Sequence, residues 1–216
     1  MANNNKDFWD EYVKKFEANP ENKKYKLLGN NWKGEDIFLQ LLSKYRNPEE
    51  TALEIGCGGG RITLHASNFF KTVYATDISS EMIRKASSEV KNSNVIWQTN
   101  DGFTLNNFKN ESIDFAFSHD VFVHFSSMQT YPYLKHIYRV LKPNGIGMIS
   151  FYNFIKHFQL FKNESWRFNT QHVFPPTMRH HFITQEMLTT MLIDLKYDIL
   201  EWNTDNFLIV VFQKRG

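Results

Sequence analysis

Short apolar runs alternate with amphipathic stretches through the middle of the chain. Five of these runs have the length of buried strands, namely residues 51–55, 73–75, 95–97, 113–117 and 145–151. Between them, apolar residues recur at the spacing of helices. This alternation is the pattern of βαβ units, so we predict an α/β protein with a mostly parallel central sheet.

Helical patterns flank this region, and two further strands follow it. Residues 6–18 and 37–45 predict two amphipathic helices, of which the first has the character of a cap that lies on another element. After a stretch with little periodicity, residues 184–193 predict one more helix. The runs 196–200 and 207–212 predict two strands that are close enough in sequence to pair antiparallel.

Two of the central helices carry capping signals. Ser79 precedes the helical pattern of residues 80–90, where its hydroxyl can accept a hydrogen bond from the first turn. Ser126 and Gln129 have the spacing of a capping box ahead of another helix. These signals predict where the two helices begin.

Composition places the chain among ordinary globular domains. Its 216 residues fit a single domain, with 42% hydrophobic and 22% charged residues. The 25 basic and 23 acidic residues give a net charge of +2, which is too small to predict a nucleic-acid partner. Cys57 is the single cysteine, the N-terminus lacks a signal-peptide pattern, and no apolar run approaches the ~20 residues of a membrane span. We therefore expect a cytoplasmic protein with no membrane span.

A glycine-rich turn follows the first predicted strand. Residues 51–55 lead directly into residues 56–60, Gly-Cys-Gly-Gly-Gly, and a helical pattern resumes at Arg61. Glycines permit positive φ and close approach of a ligand to the backbone, so the turn can cradle a nucleotide-like ligand. It lacks the third glycine of the dinucleotide fingerprint and the Gly-Lys-Ser/Thr of a phosphate loop. A purely geometric role for the glycines stays open.

The segment Glu54–Gly60, Glu-x-Gly-x-Gly-x-Gly, resembles motif I of class I S-adenosylmethionine-dependent methyltransferases. The resemblance implies that family's Rossmann-like fold, a mostly parallel seven-stranded sheet of order 3-2-1-4-5-7-6 with helices on both faces and, here, an N-terminal helical cap. It also implies S-adenosyl-L-methionine as the cofactor.

Three more segments agree with that family in order and spacing. Asp77 ends the second predicted strand, where the family places an acid on the ribose hydroxyls; an acid that favours the next helix N-terminus is the alternative. Residues 100–102 follow the third strand, where the family reads the adenine, and residues 141–145 resemble the turn before the fifth, with Asn144 in a glycine position. The cofactor-binding residues implied by the resemblance are Glu54, Gly56, Cys57, Gly58, Gly60, Asp77, Ile78, Asn100, Asp101, Gly102 and Ser118.

Candidate catalytic residues follow the fourth predicted strand, in Ser-His-Asp-Val-Phe-Val-His at residues 118–124. Ligands of open α/β sheets bind beyond the carboxyl ends of the strands, so this segment should reach the site. It resembles stretches of phosphoethanolamine methyltransferases and of small methyltransferases of surface-sugar biosynthesis. His124 is the predicted general base, His119 faces cofactor or acceptor, and Asp120 orients His124 if the turn is helical. The alternative is that His124 packs locally, and we predict no metal site.

The acceptor pocket is predicted in the aromatic-rich residues 153–182. Arg167 and Arg179 would suit a phosphate or carboxylate on the acceptor. The aromatic and histidine residues are Phe154, His157, Phe158, Phe161, Trp166, Phe168, His172, Phe174, His180 and His181. Trp9, Tyr12, Tyr25 and Trp32 are expected to close over the cofactor. The predicted division is a helical cap at 1–47, a cofactor-binding core at 48–152, the acceptor-binding insertion at 153–182, and a last helix with antiparallel strands at 183–216.

These features predict a methyltransferase that acts on a small polar acceptor, above all a hydroxyl of a sugar or surface-polysaccharide precursor, as a monomer or homodimer. N-methylation of a phospho-amine or amino sugar is the first alternative. A cofactor-binding regulatory protein without catalysis is the second. Nucleic-acid methylation is disfavoured, because the Asn/Asp-Pro-Pro-Tyr/Phe signature does not follow the fourth strand.

Overall fold

The computed structural model describes residues 2–29, 36–171 and 180–216. The α-helices in this part of the chain are α1 (Ala2–Ala18), α2 (Asp36–Tyr45), α3 (Arg61–Ala66), α4 (Ser80–Glu89), α5 (Ser127–Val140), α6 (Phe158–Gln171) and α7 (Gln185–Asp194). Its strands are β1 (Thr51–Ile55), β2 (Thr72–Asp77), β3 (Val95–Thr99), β4 (Ile113–Ser118), β5 (Leu141–Asn153), β6 (Phe182–Ile183), β7 (Tyr197–Asn203) and β8 (Phe207–Lys214). Short 3₁₀-helices span Pro20–Lys24 and Phe122–His124. None of the described helices combines the length and apolar character needed to span a bilayer.

All the strands form one sheet of order β3-β2-β1-β4-β5-β8-β7. Strands β1 to β5 are parallel, and β8 pairs antiparallel with both β5 and β7. The sequence predicted seven strands, and the predicted order holds when β6 is set aside. The eighth strand, β6, has two residues and pairs in parallel with the end of β5, which is too short to leave a periodic pattern.

The insertion contains a helix that the sequence did not predict. Residues 158–171 form α6, although we expected poorly periodic chain there. Phe158 and Trp166 on this helix are exposed, so its apolar residues do not all share one buried face. A helix without a single apolar stripe gives no clear 3.6-residue signal.

Two apolar clusters cover the two faces of the sheet. On one face, α5 and α7 contribute Leu134, Ile137, Leu188 and Leu192, which pack on strand residues. On the other face, residues of α2 and α3 pack against β1, β2 and β4. This is the layered arrangement that βαβ connections produce.

Helix α1 is fastened to the N-terminus of α4. Asp10 accepts hydrogen bonds from the Ser79 hydroxyl at 2.6 Å and from the Glu81 amide at 3.2 Å. Farther along, Arg84 donates to Glu17 at 2.7 Å. The Ser79 hydroxyl in turn accepts from the Met82 amide at 3.0 Å, as the capping signal predicts. Docking in this way brings the aromatic face of α1 to the carboxyl edge of the sheet.

Candidate functional site

A cavity lies at the carboxyl ends of β1, β2, β3 and β4, with α1 on its outer side. Its walls are formed by residues of the glycine turn, the two following strand ends, the segment after β4 and the start of α5. The lining residues are Trp9, Leu28, Glu54, Ile55, Gly56, Cys57, Gly58, Gly59, Arg61, Ile62, Asp77, Ile78, Met82, Asn100, Gly102, Phe103, His119, Asp120, Val121, His124, Phe125, Gln129 and Tyr133.

The glycine turn is held against β2 and presents bare backbone to the cavity. The amides of Gly56 and Cys57 both donate to the Thr76 carbonyl at 2.8 Å. Gly58 has φ +51°, and a Cβ placed on it would meet no atom of the described residues within 4 Å. Gly58 also lines the cavity. The turn therefore leaves room for a ligand directly beside the Gly58 backbone.

The Asp77 carboxylate binds the glycine turn and still has acceptor capacity. Its Oδ2 accepts from the Gly58 amide and its Oδ1 from the Ser79 amide, both at 2.9 Å. A carboxylate has about four lone-pair sites, so roughly two are left for a ligand diol. Burial raises the pKa of Asp77 to about 6, against the lowering effect of these amide hydrogen bonds.

Replacing Asp77 by asparagine is expected to weaken S-adenosylhomocysteine binding by about 10- to 100-fold, because hydrogen bonds to a charged group contribute about 1.5–3 kcal/mol. In the wild type, affinity should fall as the pH drops through about 6, since protonation removes the charge and acceptor sites of Asp77. Calorimetric titration between pH 5 and 8 measures both effects. A D77N protein with the same pH dependence as the wild type would contradict this role of Asp77.

Glu54 is buried beneath the turn. Its Oε2 accepts from the Thr63 hydroxyl at 2.5 Å, and burial raises the pKa of its carboxyl to about 8. Glu54 is therefore largely protonated at neutral pH in the ligand-free protein.

The E54Q variant is expected to gain stability relative to the wild type at alkaline pH. Because the folded-state pKa of Glu54 lies above the ordinary value of 4.5, the stability linked to its protonation is complete below about 4.5 and is lost as the pH rises through about 8. The glutamine side chain of the variant keeps an acceptor for Thr63 and does not titrate. Thermal unfolding at pH 6 to 9 measures the difference, with exposed Glu49→Gln as the matched control. A difference between wild type and E54Q that is constant over this range would contradict the account.

Some of the predicted cofactor residues lie away from the cavity wall. Asp101 is exposed, and its carboxylate accepts from the Phe103 and Thr104 amides and the Thr104 hydroxyl, so it holds its own turn together. Ser118 is buried and donates to the Ile55 carbonyl at 2.7 Å. Gly60 is the N-cap residue of α3, has φ +84°, and lies against Ala86, Val90 and Trp97 instead of the cavity. The other predicted cofactor residues line the cavity: Glu54, Gly56, Cys57, Gly58, Asp77, Ile78, Asn100 and Gly102.

The three predicted catalytic residues all line the cavity, in different environments. His124 ends the 3₁₀-helix after β4, and its ring lies 5.5 Å from that of Trp9 and 5.6 Å from that of His180, between centroids. His119 is buried directly after β4. Asp120 has φ +61°, so the turn from 120 to 124 is not one continuous helix, which was the condition under which Asp120 was predicted to orient His124.

Several residues that line the cavity are not indicated by any pattern in the sequence. Gln129 and Tyr133 lie on the first turns of α5, where the capping box predicts the helix but not what it faces. Gly59 lines the wall in place of Gly60, and Met82 reaches it from α4. Trp9 lines the cavity, as expected of the N-terminal helix.

The insertion brings a second group of rings beside His124. His180 contacts Tyr152 at 5.1 Å between centroids, and its Nδ1 lies 2.5 Å from the Glu164 carboxylate. The His181 amide donates to the Val123 carbonyl at 2.6 Å, which fastens this segment to the 3₁₀-helix. Arg167 is exposed. Outside the described residues lie Trp32, His172, Phe174 and Arg179, together with the side chain of Phe168.

Within residues 2–29, 36–171 and 180–216, no three His, Cys, Asp or Glu side chains are grouped to hold a metal ion.

The residues of the cavity fit the adenosyl amino acid that the glycine turn implies. Open space lies beside Gly58, and the Asp77 carboxylate retains acceptor sites for vicinal hydroxyls.

Comparison with known proteins finds a family match in the middle of the chain. Residues 53–149, just under half of the chain, match the profile of the family described as the methyltransferase domain. This segment runs from β1 through most of β5 and includes the glycine turn, Asp77 and His124. No curated protein sequence matches the chain.

Solved structures of methyltransferases share the fold. A SAM-dependent methyltransferase from Methanosarcina mazei is 22% identical with a TM-score of 0.66, over 81% of this chain and 97% of that one. Magnesium protoporphyrin IX methyltransferase from Synechocystis PCC 6803, solved with bound SAH, is 17% identical with a TM-score of 0.72, over 97% of each chain. An S-adenosylmethionine-dependent methyltransferase from Mesorhizobium loti is 15% identical with a TM-score of 0.67, over 85% and 99%. Residues 53–149 therefore match a methyltransferase domain, and the chain has the Rossmann-like fold of class I S-adenosylmethionine-dependent methyltransferases.

Proposed function

We propose that this methyltransferase acts on a hydroxyl of a small polar acceptor, a sugar or surface-polysaccharide precursor, with His124 as the general base. The observation that carries the proposal is an imidazole in the cavity wall beyond β4, on the side where α1 and the insertion meet. A neutral imidazole has one unprotonated ring nitrogen, which can accept a proton from a hydroxyl.

The main task of the protein is to position the acceptor relative to the cofactor. S-adenosyl-L-methionine supplies an activated methyl group when bound. Asp77 and the Gly58 backbone would hold the adenosyl part, which leaves the segment after β4 to face the acceptor. A hydroxyl is a weak nucleophile, so removal of its proton by His124 as the new bond forms would lower the barrier.

The surroundings of His124 support a ring-shaped polar acceptor. The rings of Trp9 and His180 lie beside His124, and Tyr152 packs on His180. Aromatic rings suit the apolar side of a sugar ring.

The proposal is tested by incubating the protein with methyl-labelled S-adenosylmethionine and a panel of free sugars, nucleotide sugars, amino sugars and phosphoethanolamine. Mass spectrometry of the product distinguishes a methyl ether from a methylamine. We expect a methyl ether on one or more of the hydroxylated compounds. Transfer to the amino compounds alone, with a methylamine as product, would overturn the proposal in favour of N-methylation.

A further inference from the structure

The imidazole of His119 is buried and in contact with two aromatic rings and a hydroxyl group. Its side chain is 8% exposed and lies at the carboxyl end of β4. The ring lies 4.5 Å from that of Phe38, tilted by 36°, and 5.1 Å from that of Phe207, tilted by 64°, between centroids. Its Nδ1 is 3.1 Å from the Ser150 hydroxyl oxygen. The orientation of the imidazole is thus fixed by packing on both sides and by one hydrogen bond.

The hydrogen-bond count at Ser150 decides which ring nitrogen carries the proton. The Ser150 oxygen accepts from the Asp120 amide at 2.9 Å, which uses one of its two lone pairs. Its single proton must go to an acceptor, because Ser150 is fully buried. Within the described residues, the one contact that can take it is Nδ1 of His119. Ser150 therefore donates to Nδ1, and Nδ1 carries no proton of its own.

The proton of the neutral ring is therefore on Nε2. Burial lowers the pKa of His119 to about 3, with a further contribution from the nearby positive charge of Arg61, so the ring is neutral at physiological pH. Nε2 forms no hydrogen bond with the described residues, and it is not among the fully buried polar atoms. His119 lines the cavity, so its N–H is accessible from there.

We propose that His119 is a hydrogen-bond donor of fixed tautomer, which binds an anionic oxygen of the molecule in the cavity through Nε2–H, with Ser150 as its positioning residue. Arg61 lines the same cavity, and its positive charge is close enough to His119 to contribute to the lowered pKa of the imidazole. Such an oxygen would come from the amino-acid carboxylate of the cofactor or from the acceptor. The inference rests on the cavity being the methyl-transfer site but not on which acceptor is used.

The sequence predicted that His119 faces cofactor or acceptor, and the proposal makes that contact a hydrogen bond donated by Nε2. A ring that is neutral, with Nδ1 already occupied as an acceptor, cannot take up a proton from a substrate at neutral pH. His124 would then remove the proton, and His119 would bind the ligand.

The first test reads the tautomer directly in the ligand-free protein. In ¹⁵N-histidine-labelled protein at pH 7, His119 should show a protonated Nε2 and an unprotonated Nδ1. In the S150A variant that preference should weaken, because the donor to Nδ1 is gone. A wild-type spectrum with the proton on Nδ1, or with both nitrogens protonated, would overturn the proposal whatever the enzyme methylates.

The second test uses two ligands that differ in the amino-acid part. The H119F variant keeps the ring packing and lacks the donor, whereas H119Q places an amide nitrogen near the position of Nε2. For a cofactor carboxylate, H119F should lower affinity for S-adenosylhomocysteine by about tenfold or more, H119Q should restore part of it, and affinity for 5′-methylthioadenosine should not change. The exposed His65→Gln is the control.

The remaining outcomes show whether the oxygen belongs to the cofactor or to the acceptor, and whether His119 is a hydrogen-bond donor to either. If both affinities are unchanged in H119F while the KM for the acceptor rises, the oxygen belongs to the acceptor. If H119F matches the wild type in both affinities and in turnover, His119 is not a ligand-binding donor. An equal loss for both ligands would indicate a structural role and would also overturn the proposal.

Discussion

Replacing His124 by glutamine should lower the rate of methyl transfer by about 100- to 10,000-fold while the affinity for S-adenosylhomocysteine stays unchanged, since this is the range that a positioned general base contributes. Glutamine is chosen because His124 contacts the rings of Trp9 and His180, and a side chain of similar length limits the disturbance of α1. Single-turnover kinetics with the best acceptor, together with calorimetric titration of S-adenosylhomocysteine, measures the two quantities separately.

The matched control is His157→Gln, a histidine of the insertion that stacks on Tyr152 at 4.6 Å between centroids and does not line the cavity. Its turnover should stay within a few-fold of the wild type. If H124Q retained the wild-type rate, His124 would be removed from the base role. If H124Q also lost cofactor affinity, the rate loss would have to be assigned to binding instead.

The Gly58→Asn variant is expected to fold normally and to lose affinity for S-adenosylhomocysteine by about 100-fold or more, which corresponds to roughly 2.7 kcal/mol. Gly58 has φ +51°, a region that asparagine tolerates better than other non-glycine residues, and its Cβ position has no neighbour within 4 Å in the part of the chain that the structure describes. The new side chain would extend into the cavity, where it excludes the ligand. Calorimetry gives the affinity, and thermal unfolding without ligand gives the stability.

Gly59→Ala separates ligand exclusion from instability. A Cβ at Gly59 would lie 2.6 Å from Leu28 Cβ and 2.7 Å from the Leu28 carbonyl oxygen, so this variant should lower the unfolding temperature of the ligand-free protein. G58N and G59A should thus fail in different assays. A G58N protein that binds S-adenosylhomocysteine like the wild type would show that the space beside Gly58 is not the ligand site.

Much of the fold could be predicted because local signals agree with the final packing. The strand at 51–55 was predicted with its observed bounds, since its apolar residues are bounded by polar chain and glycines. Ser79 and the Ser126–Gln129 pair mark the starts of α4 and α5, as capping predicts. Asn144 has φ +63°, which confirms the left-handed backbone expected at this position.

The elements that could not be predicted depend on distant contacts. Strand β6 exists because two residues pair with the end of β5, and α6 packs without one apolar stripe. Within the site, Asp77 could be placed because strand ends of a parallel sheet meet at one edge. Asp101 has the same kind of position, yet its carboxylate is taken up by the amides of its own turn, a competition that spacing does not reveal.

A crystal structure of the complex with S-adenosylhomocysteine would show directly whether the cavity holds the cofactor as proposed. We predict the ribose hydroxyls within hydrogen-bonding distance of the Asp77 carboxylate, the adenosyl part against the Gly58 backbone, and the sulfur on the side of the cavity that His124 lines. A ligand whose ribose lies away from Asp77, or whose sulfur points away from His124, would contradict it.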